Sequence, residues 1–364
     1  MTTNSRIPFY IQWPLLLVGF YVLISMLSIG QTILLPLIYA SILAVLISPV
    51  VNYLERKKIN RGLAIAAVLA LALVVIGVVL FLIVSQSNLL IEAMPELSKK
   101  LKVVLHQFAE WASRYFNVSV RDIESWFEKE KVKFLKNSNL GIGTTLTTAG
   151  SVLATLFLTP VYIFMILFYQ PHIVVFFYKV FGAANESKVR EILGETKTVI
   201  RSYLVGLFLE FIIIAILNSL GLLFLRIEYA ILLGIAGALL NVIPYVGGLI
   251  AVGVFATIAL LTKSPEYVVY VMILYMVIQF VDNNYIVPKI VGSKVKLNAL
   301  FSILAVVAGG ALWGIPGMFL SIPLLAIIKL IADRIDPLQP WGYLLGDTMP
   351  PLMEMKVKRF KPRP

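Results

Sequence analysis

Residues 7–54 contain no Asp, Glu, Lys or Arg, and that run is twice the ~20 helical residues that cross the hydrocarbon core of a bilayer. Lipid offers no water to backbone N–H and C=O groups, so such a run has to pair them internally as helix. Ser28, Gly30 and Pro36 divide it, which predicts two spans at about 11–29 and 32–54. A second charge-free run, 62–84, predicts a third span at 62–85. Over the whole chain 60% of residues are hydrophobic and 14% charged, with a mean hydropathy of +0.92. Soluble domains carry roughly 25% charged residues, so the fold class expected is an all-α, polytopic integral membrane protein.

Charge then orients the spans. Glu55-Arg56-Lys57-Lys58-Ile59-Asn60-Arg61 is a basic loop, the mark of the cytoplasmic side. This puts the N-terminus inside and sends the third span outward. Residues 86–137 hold nine basic and seven acidic residues, as a solvated extracytoplasmic segment should. Leu97, Leu101, Val104, Phe108, Trp111 and Tyr115 recur at helical spacing along it, an apolar stripe that fits packing on the same chain, the membrane surface or another subunit. A fourth span is expected at 147–170, kinked at Pro160, then an amphipathic cytoplasmic helix at 185–203 and a fifth span at 202–225. The organisation expected is 1–85 N-terminal spans, 86–146 external segment, 147–225 further spans, 226–331 transport core and 332–364 basic cytoplasmic tail.

The core does not read as simple spans. Segments 229–262 and 298–330 are each longer than one span, and Gly and Pro interrupt both. The first breaks around Asn241, Pro244, Gly247 and Gly248, the second around Gly309, Gly310, Gly314, Pro316 and Gly317. Two topologies fit: kinked through-helices, or hairpins that enter and leave on one side, the first opening outward and the second inward. Only the hairpins, with a span at 266–287 between them, keep Lys289, Lys294, Lys296 and the tail inside. Oppositely oriented broken helices are also what an inverted repeat leaves in a sequence. In either topology there are about eight hydrophobic segments.

Broken backbone at membrane depth is tolerated only against protein or a watery cavity, so the breaks are candidate sites on the path. Glu210 lies nine residues beyond Arg201 in an apolar helix, near mid-membrane, where an ionisable group is rare. It reads either as a proton- or cation-coupling group or as a hydrogen-bonded structural residue. Gln279, Asp282, Asn283 and Asn284 crowd into about a turn and a half before Pro288, either lining a path or ending a helix in water. Asn241 reads as a cap or a substrate contact. The glycines read as close packing or as backbone exposed to a solute.

Other chemistries find little support. The chain has no cysteine and two histidines, His106 and His172, so a metal site built by one chain is not expected. It shows no P-loop, nucleophile elbow or zincin helix. An enzyme is not expected, and no cofactor is called for. The net charge of +12 sits at the ends of apolar runs, which argues topology rather than nucleic acid.

The stretches Asn241–Gly248, Gln279–Gly292 and Ala308–Pro323, set in this whole-chain pattern, resemble the autoinducer-2 exporter family. The resemblance implies about eight hydrophobic segments in a bacterial inner membrane, a homo-oligomer, and secondary transport of a small polar solute. It also leaves open a Na⁺(Li⁺)/H⁺ antiporter using Glu210 and Asp282. Gly248 departs from the family, where Pro is common at that position. A non-transporting scaffold docking through 86–137 is the expectation from another class.

Overall fold

A computed structural model describes residues 9–116, 118–137, 145–243, 246–290 and 297–347 of the chain. Pro244, Lys294, Lys296 and the basic tail beyond 347 lie outside them. Among the described residues the fold is helical, apart from one isolated bridge between Leu297 and Gly346. The helices are α1 Phe9–Ile29, α2 Gln31–Arg56, α3 Arg61–Phe116, α4 Val120–Asn137, α5 Thr145–Phe168, α6 Gln170–Phe181, α7 Glu186–Phe224, α8 Ala230–Asn241, α9 Val246–Thr262, α10 Pro265–Val281, α11 Val287–Ile290, α12 Ala299–Arg334 and α13 Gln339–Leu345. Among the described residues, five helices are long and apolar enough to cross a membrane, or six if the bent α5–α6 pair is one span.

Pro160 lies within α5, yet the chain bends by 64° only at Tyr169. The bend falls there because Pro171 is at the start of α6. A proline is tolerated at a helix start, where its missing N–H is not needed, and without that N–H it cannot continue α5 by bonding the Leu167 carbonyl, which accepts from Arg61 instead. The third span and the apolar stripe that follows it are likewise one continuous helix of 56 residues, about 84 Å long at 1.5 Å per residue.

Along the second half of α3 the stripe is only partly covered. Leu97 is buried against Leu222, Ile227 and Leu261, while Phe108, Trp111 and Tyr115 are exposed. Ala109 and Ala112 are buried instead, on the side where α4 packs back. His106 ties the two helices: Nδ1 lies 2.8 Å from Glu124 of α4, and Nε2 lies 3.4 Å from Glu110. The bond to Glu124, then the charges of Glu110 and Glu124, raise the His106 pKa above its ordinary 6.5. A raised folded pKa gives stabilisation that is complete below the unfolded value and fades as pH rises through the folded one. Amide protection factors across α4, with the intrinsic base-catalysed exchange rate divided out, should therefore be larger below about pH 6.5 than at pH 8, and His106→Gln should flatten their pH profile. An unchanged profile in that variant would show that the clasp contributes nothing.

The 39-residue α7 is the spine of the remainder. Its first half packs Ile200, Tyr203 and Leu204 against Ile42 of α2 and Leu320 of α12. Its second half packs Ile214 against Ala238, Ile278 and Ile286 of the α8–α11 region. Both broken segments fold back on themselves. In the first, Gly237 of α8 meets the Phe255 ring of α9. In the second, Gly314 takes φ 64° and ψ −146°, a region open essentially to glycine alone. Gly309 and Gly317 then stand so close that a Cβ on either would collide with the other's carbonyl. In a straight helix those two residues are about 12 Å apart.

The two hairpins open toward opposite ends of the molecule. The ends of α8–α9 join the Leu97 cluster with Ile227, Ala230 and Leu261. The ends of α12 lie at the other, basic end. There Arg334 pairs with Glu191 (3.2 Å) and Glu195 of α7, and the Asn298 amide donates to the Leu345 carbonyl at 2.8 Å. Arg61 closes the same end by donating to the Leu167 carbonyl at 2.6 Å and pairing with Glu55 at 3.4 Å.

Candidate functional site

A polar cluster sits where the first hairpin breaks. Asn241 is the last residue of α8. Rather than capping its own helix, its Nδ2 donates to Asp282 Oδ2 at 3.0 Å, and its Oδ1 accepts from Gln279 Nε2 at 3.4 Å. Gly248, one turn into α9, completes the group. A Cβ there would lie 2.8 Å from the Tyr275 hydroxyl, 3.3 Å from Gln279 Nε2 and 3.5 Å from Asn241 Oδ1. Gly247 packs against the Leu240 carbonyl, leaving no room for a side chain. Amide, phenol and carboxyl groups from α8 and α10 thus converge beside the glycines of α9 in otherwise apolar surroundings.

Asp282 opens a local irregularity. From Asp282 to Ile286 the α10 helix widens into a π turn, a feature that collects at functional sites because it rotates side chains out of helical register. Asp282 and Ile286 point inward, whereas Asn283, Asn284 and Tyr285 are exposed. Asp282 is 1% exposed, and its Oδ1 has no hydrogen-bond partner among the described residues. A buried carboxyl oxygen left unpaired is costly, by about 1–3 kcal/mol or more, and is rarely retained without a use.

Glu210 approaches the cluster from α7. It is 9% exposed and close enough to Asp282 for the two charges to interact. It also marks the boundary between the two halves of α7, after the residues that pack on α12 and before those that pack on α8 and α10. Asn218 lies two turns further along, on the same buried face as Gly206, Glu210, Ile214 and Leu222. It is 2% exposed, with Oδ1 unpartnered among the described residues. Sequence reasoning missed both Asn218 and Tyr275. The four-residue spacing of Glu210, Ile214, Asn218 and Leu222 was the signal for the first; Tyr275 gave none, because a tyrosine in an apolar span reads as ordinary packing.

The remaining candidates lie elsewhere. Asn284 donates to its own helix at the Phe280 carbonyl (2.8 Å), and Pro288 is exposed. Gly309, Gly310, Gly314, Pro316 and Gly317 build the second hairpin, whose tip is held by α1 and α2. Trp313 Nε1 donates to the Leu27 carbonyl at 3.0 Å, and the Tyr39 hydroxyl donates to the Pro316 carbonyl at 3.1 Å.

Comparison with known proteins places nearly all of the chain. Residues 11–336 match the family described as "AI-2E family transporter". YueF of Bacillus subtilis (strain 168) is 28% identical over 315 residues, covering 82% of this chain and 83% of its own. YhhT of Escherichia coli (strain K12) is 24% identical over 343 residues, covering 92% and 94%. The AI-2 transport protein TqsA of the same strain is 23% identical over 316 residues, covering 86% and 90%. With the family match running through nearly all of an all-helical, lipid-compatible fold, this chain is an integral membrane protein that belongs to the AI-2E family of transporters.

Proposed function

We propose that this transporter moves its small polar solute past the Asn241–Gln279–Asp282 cluster and couples the movement to Na⁺, Li⁺ or H⁺ through Asp282 and Glu210. The observation that carries the reading is the Asp282 carboxyl: one oxygen held by Asn241, the other unpartnered among the described residues, on a π turn beside a broken helix. Intramembrane carboxyl groups that face the protein interior mark solute and proton paths. Glu210 supplies a second carboxyl within electrostatic reach, and two interacting carboxyls exchange a proton for a cation more readily than one, since each charge raises the other's need for a counter-ion. The amides and the Tyr275 hydroxyl give a neutral, hydroxylated solute donors and acceptors at the same place. TqsA carries AI-2 in its name, and a solute of that small, polar kind suits such a lining.

Coupling is tested in proteoliposomes loaded with a pH-sensitive dye and pulsed with Na⁺ or Li⁺. The pulse should drive protons the other way, and Glu210→Gln should abolish the pH signal while the protein still folds. Silence of the dye with the unaltered protein, at every gradient tried, would remove antiport from the proposal.

A further inference from the structure

Well away from the polar cluster, a cavity of about 210 Å³ opens at the basic end between α2, the α5–α6 bend and α7. Its walls are apolar, with Ala44, Val45, Ile166 and Leu193 among them. Two hydroxyls in the wall, Ser41 and Ser48, donate to carbonyls of their own helix, at Leu37 (2.8 Å) and Val45 (3.1 Å), so they make little demand on an occupant. The other polar side chains of the lining are Gln170, Thr196 and Lys197.

The charges at this end of the molecule are unequally committed. Glu191 and Glu195 are both taken up by Arg334, and Glu55 by Arg61. Lys197 has neither ion pair nor hydrogen bond among the described residues. The cavity therefore presents an uncommitted lysine above a hydrocarbon lining. Its depth in the membrane follows from α6, which buries none of its residues, carries Phe176, Phe177 and Lys179, and leaves α5 at 64°. That combination belongs to a helix lying in the interface, with its rings among the acyl chains and its charge in the headgroups. Basic pockets between transmembrane helices at this level select anionic headgroups.

We infer that this cavity is a binding site for an anionic membrane phospholipid, its phosphate on Lys197 and Gln170 and its glycerol and upper acyl chain against α2 and α5. Arg61 supports the site indirectly, because its bond to Gln170 Oε1 (3.3 Å) fixes that side chain with its amide nitrogen left to donate.

The test uses the full chain in nanodiscs of mixed phosphatidylglycerol and phosphatidylcholine, with retained lipid identified by native mass spectrometry. Unaltered protein should retain phosphatidylglycerol in preference. In Lys197→Gln that preference should fall about fivefold, which corresponds to the ~1 kcal/mol a lysine contributes at an anionic lipid surface. Val174→Trp, which fills the cavity from α6, should lower retention of both lipids. Lys188→Gln, an exposed change on the same helix as Lys197, should leave the preference intact. An unchanged preference in Lys197→Gln would overturn the assignment. So would displacement of the retained lipid by inorganic phosphate alone, since that would define a bare anion site. Because the readout is bound lipid rather than flux, failure here leaves the transport proposal untouched.

Discussion

Asp282→Asn should lower solute flux in proteoliposomes by about 10- to 100-fold, and it should do so without destabilising the protein. The first half of that expectation follows from hydrogen bonds to a charged partner, which contribute about 1.5–3 kcal/mol, or roughly one to two decades in an equilibrium. The second half follows from burial. Asp282 is 1% exposed, and an ionisable group held at membrane depth works against folding by about 2.5–3.5 kcal/mol on insertion scales. Asparagine has the same shape and can still accept from Asn241 Nδ2, which now donates at 3.0 Å. The apparent melting temperature in detergent should therefore stay level or rise while transport collapses. A residue kept for structure would behave in the opposite way, with flux falling only as far as folded yield falls. Unaltered flux at equal stability would remove Asp282 from the path.

That contrast also shows where sequence reasoning succeeds and where it stops. The breaks in the C-terminal third were legible, because glycine and proline clustered inside a long apolar run interrupt its helix. The all-helical membrane class was equally legible from charge-free length. Orientation of side chains within the polar turn was not. Gln279, Asp282, Asn283 and Asn284 are equivalent candidates by composition, and α-helical register gives no sharp division among them. Burial makes the division: Asp282 continues the buried face of Val271 and Ile278, while both asparagines, inside the π turn from Asp282 to Ile286, are exposed. Composition alone does not announce a π turn; Ile286 within it packs with Ile214 of α7 and Ala238 of α8.

Long-range pairing was hidden for a similar reason. Asn241 and Asp282 are 41 residues apart, and Asn241 beside a break reads as a cap until α10 is seen passing it. The stripe on α3 illustrates the converse. Its spacing foretold a helix correctly, yet burial depends on what lies opposite, and Ala109 and Ala112 are covered while Trp111 and Tyr115 stay exposed. Periodicity reports which residues share a face; only the partner decides which face is covered.

The second large effect is expected at Gly317. In the folded-back α12, a Cβ at this position collides with the Gly309 carbonyl, a backbone atom that cannot rotate away, and it also lies 3.0 Å from the Trp313 Cβ. Gly317→Val should force the arms apart, loosen Leu320, which is fully buried, and disturb the bonds that hold the tip through Trp313 and Pro316. Overpacking a tight site commonly destabilises by about 1–3 kcal/mol, and a backbone clash should put this one at about 3 kcal/mol or beyond. Gly314→Ala should follow, at about 1–3 kcal/mol, because it strains the φ 64° turn without meeting any neighbour. Gly310→Ala should be milder, since the atom it meets is the flexible end of Met318. Gly253→Ala, with open space in mid-helix, should be neutral or gain up to ~1 kcal/mol from helix propensity. Thermal unfolding of the four variants in one detergent gives the order directly. In a through-helix merely kinked at Gly314, Gly309 and Gly317 would lie far apart and Gly317→Val would resemble Gly253→Ala; equal melting temperatures for those two variants would therefore exclude the hairpin.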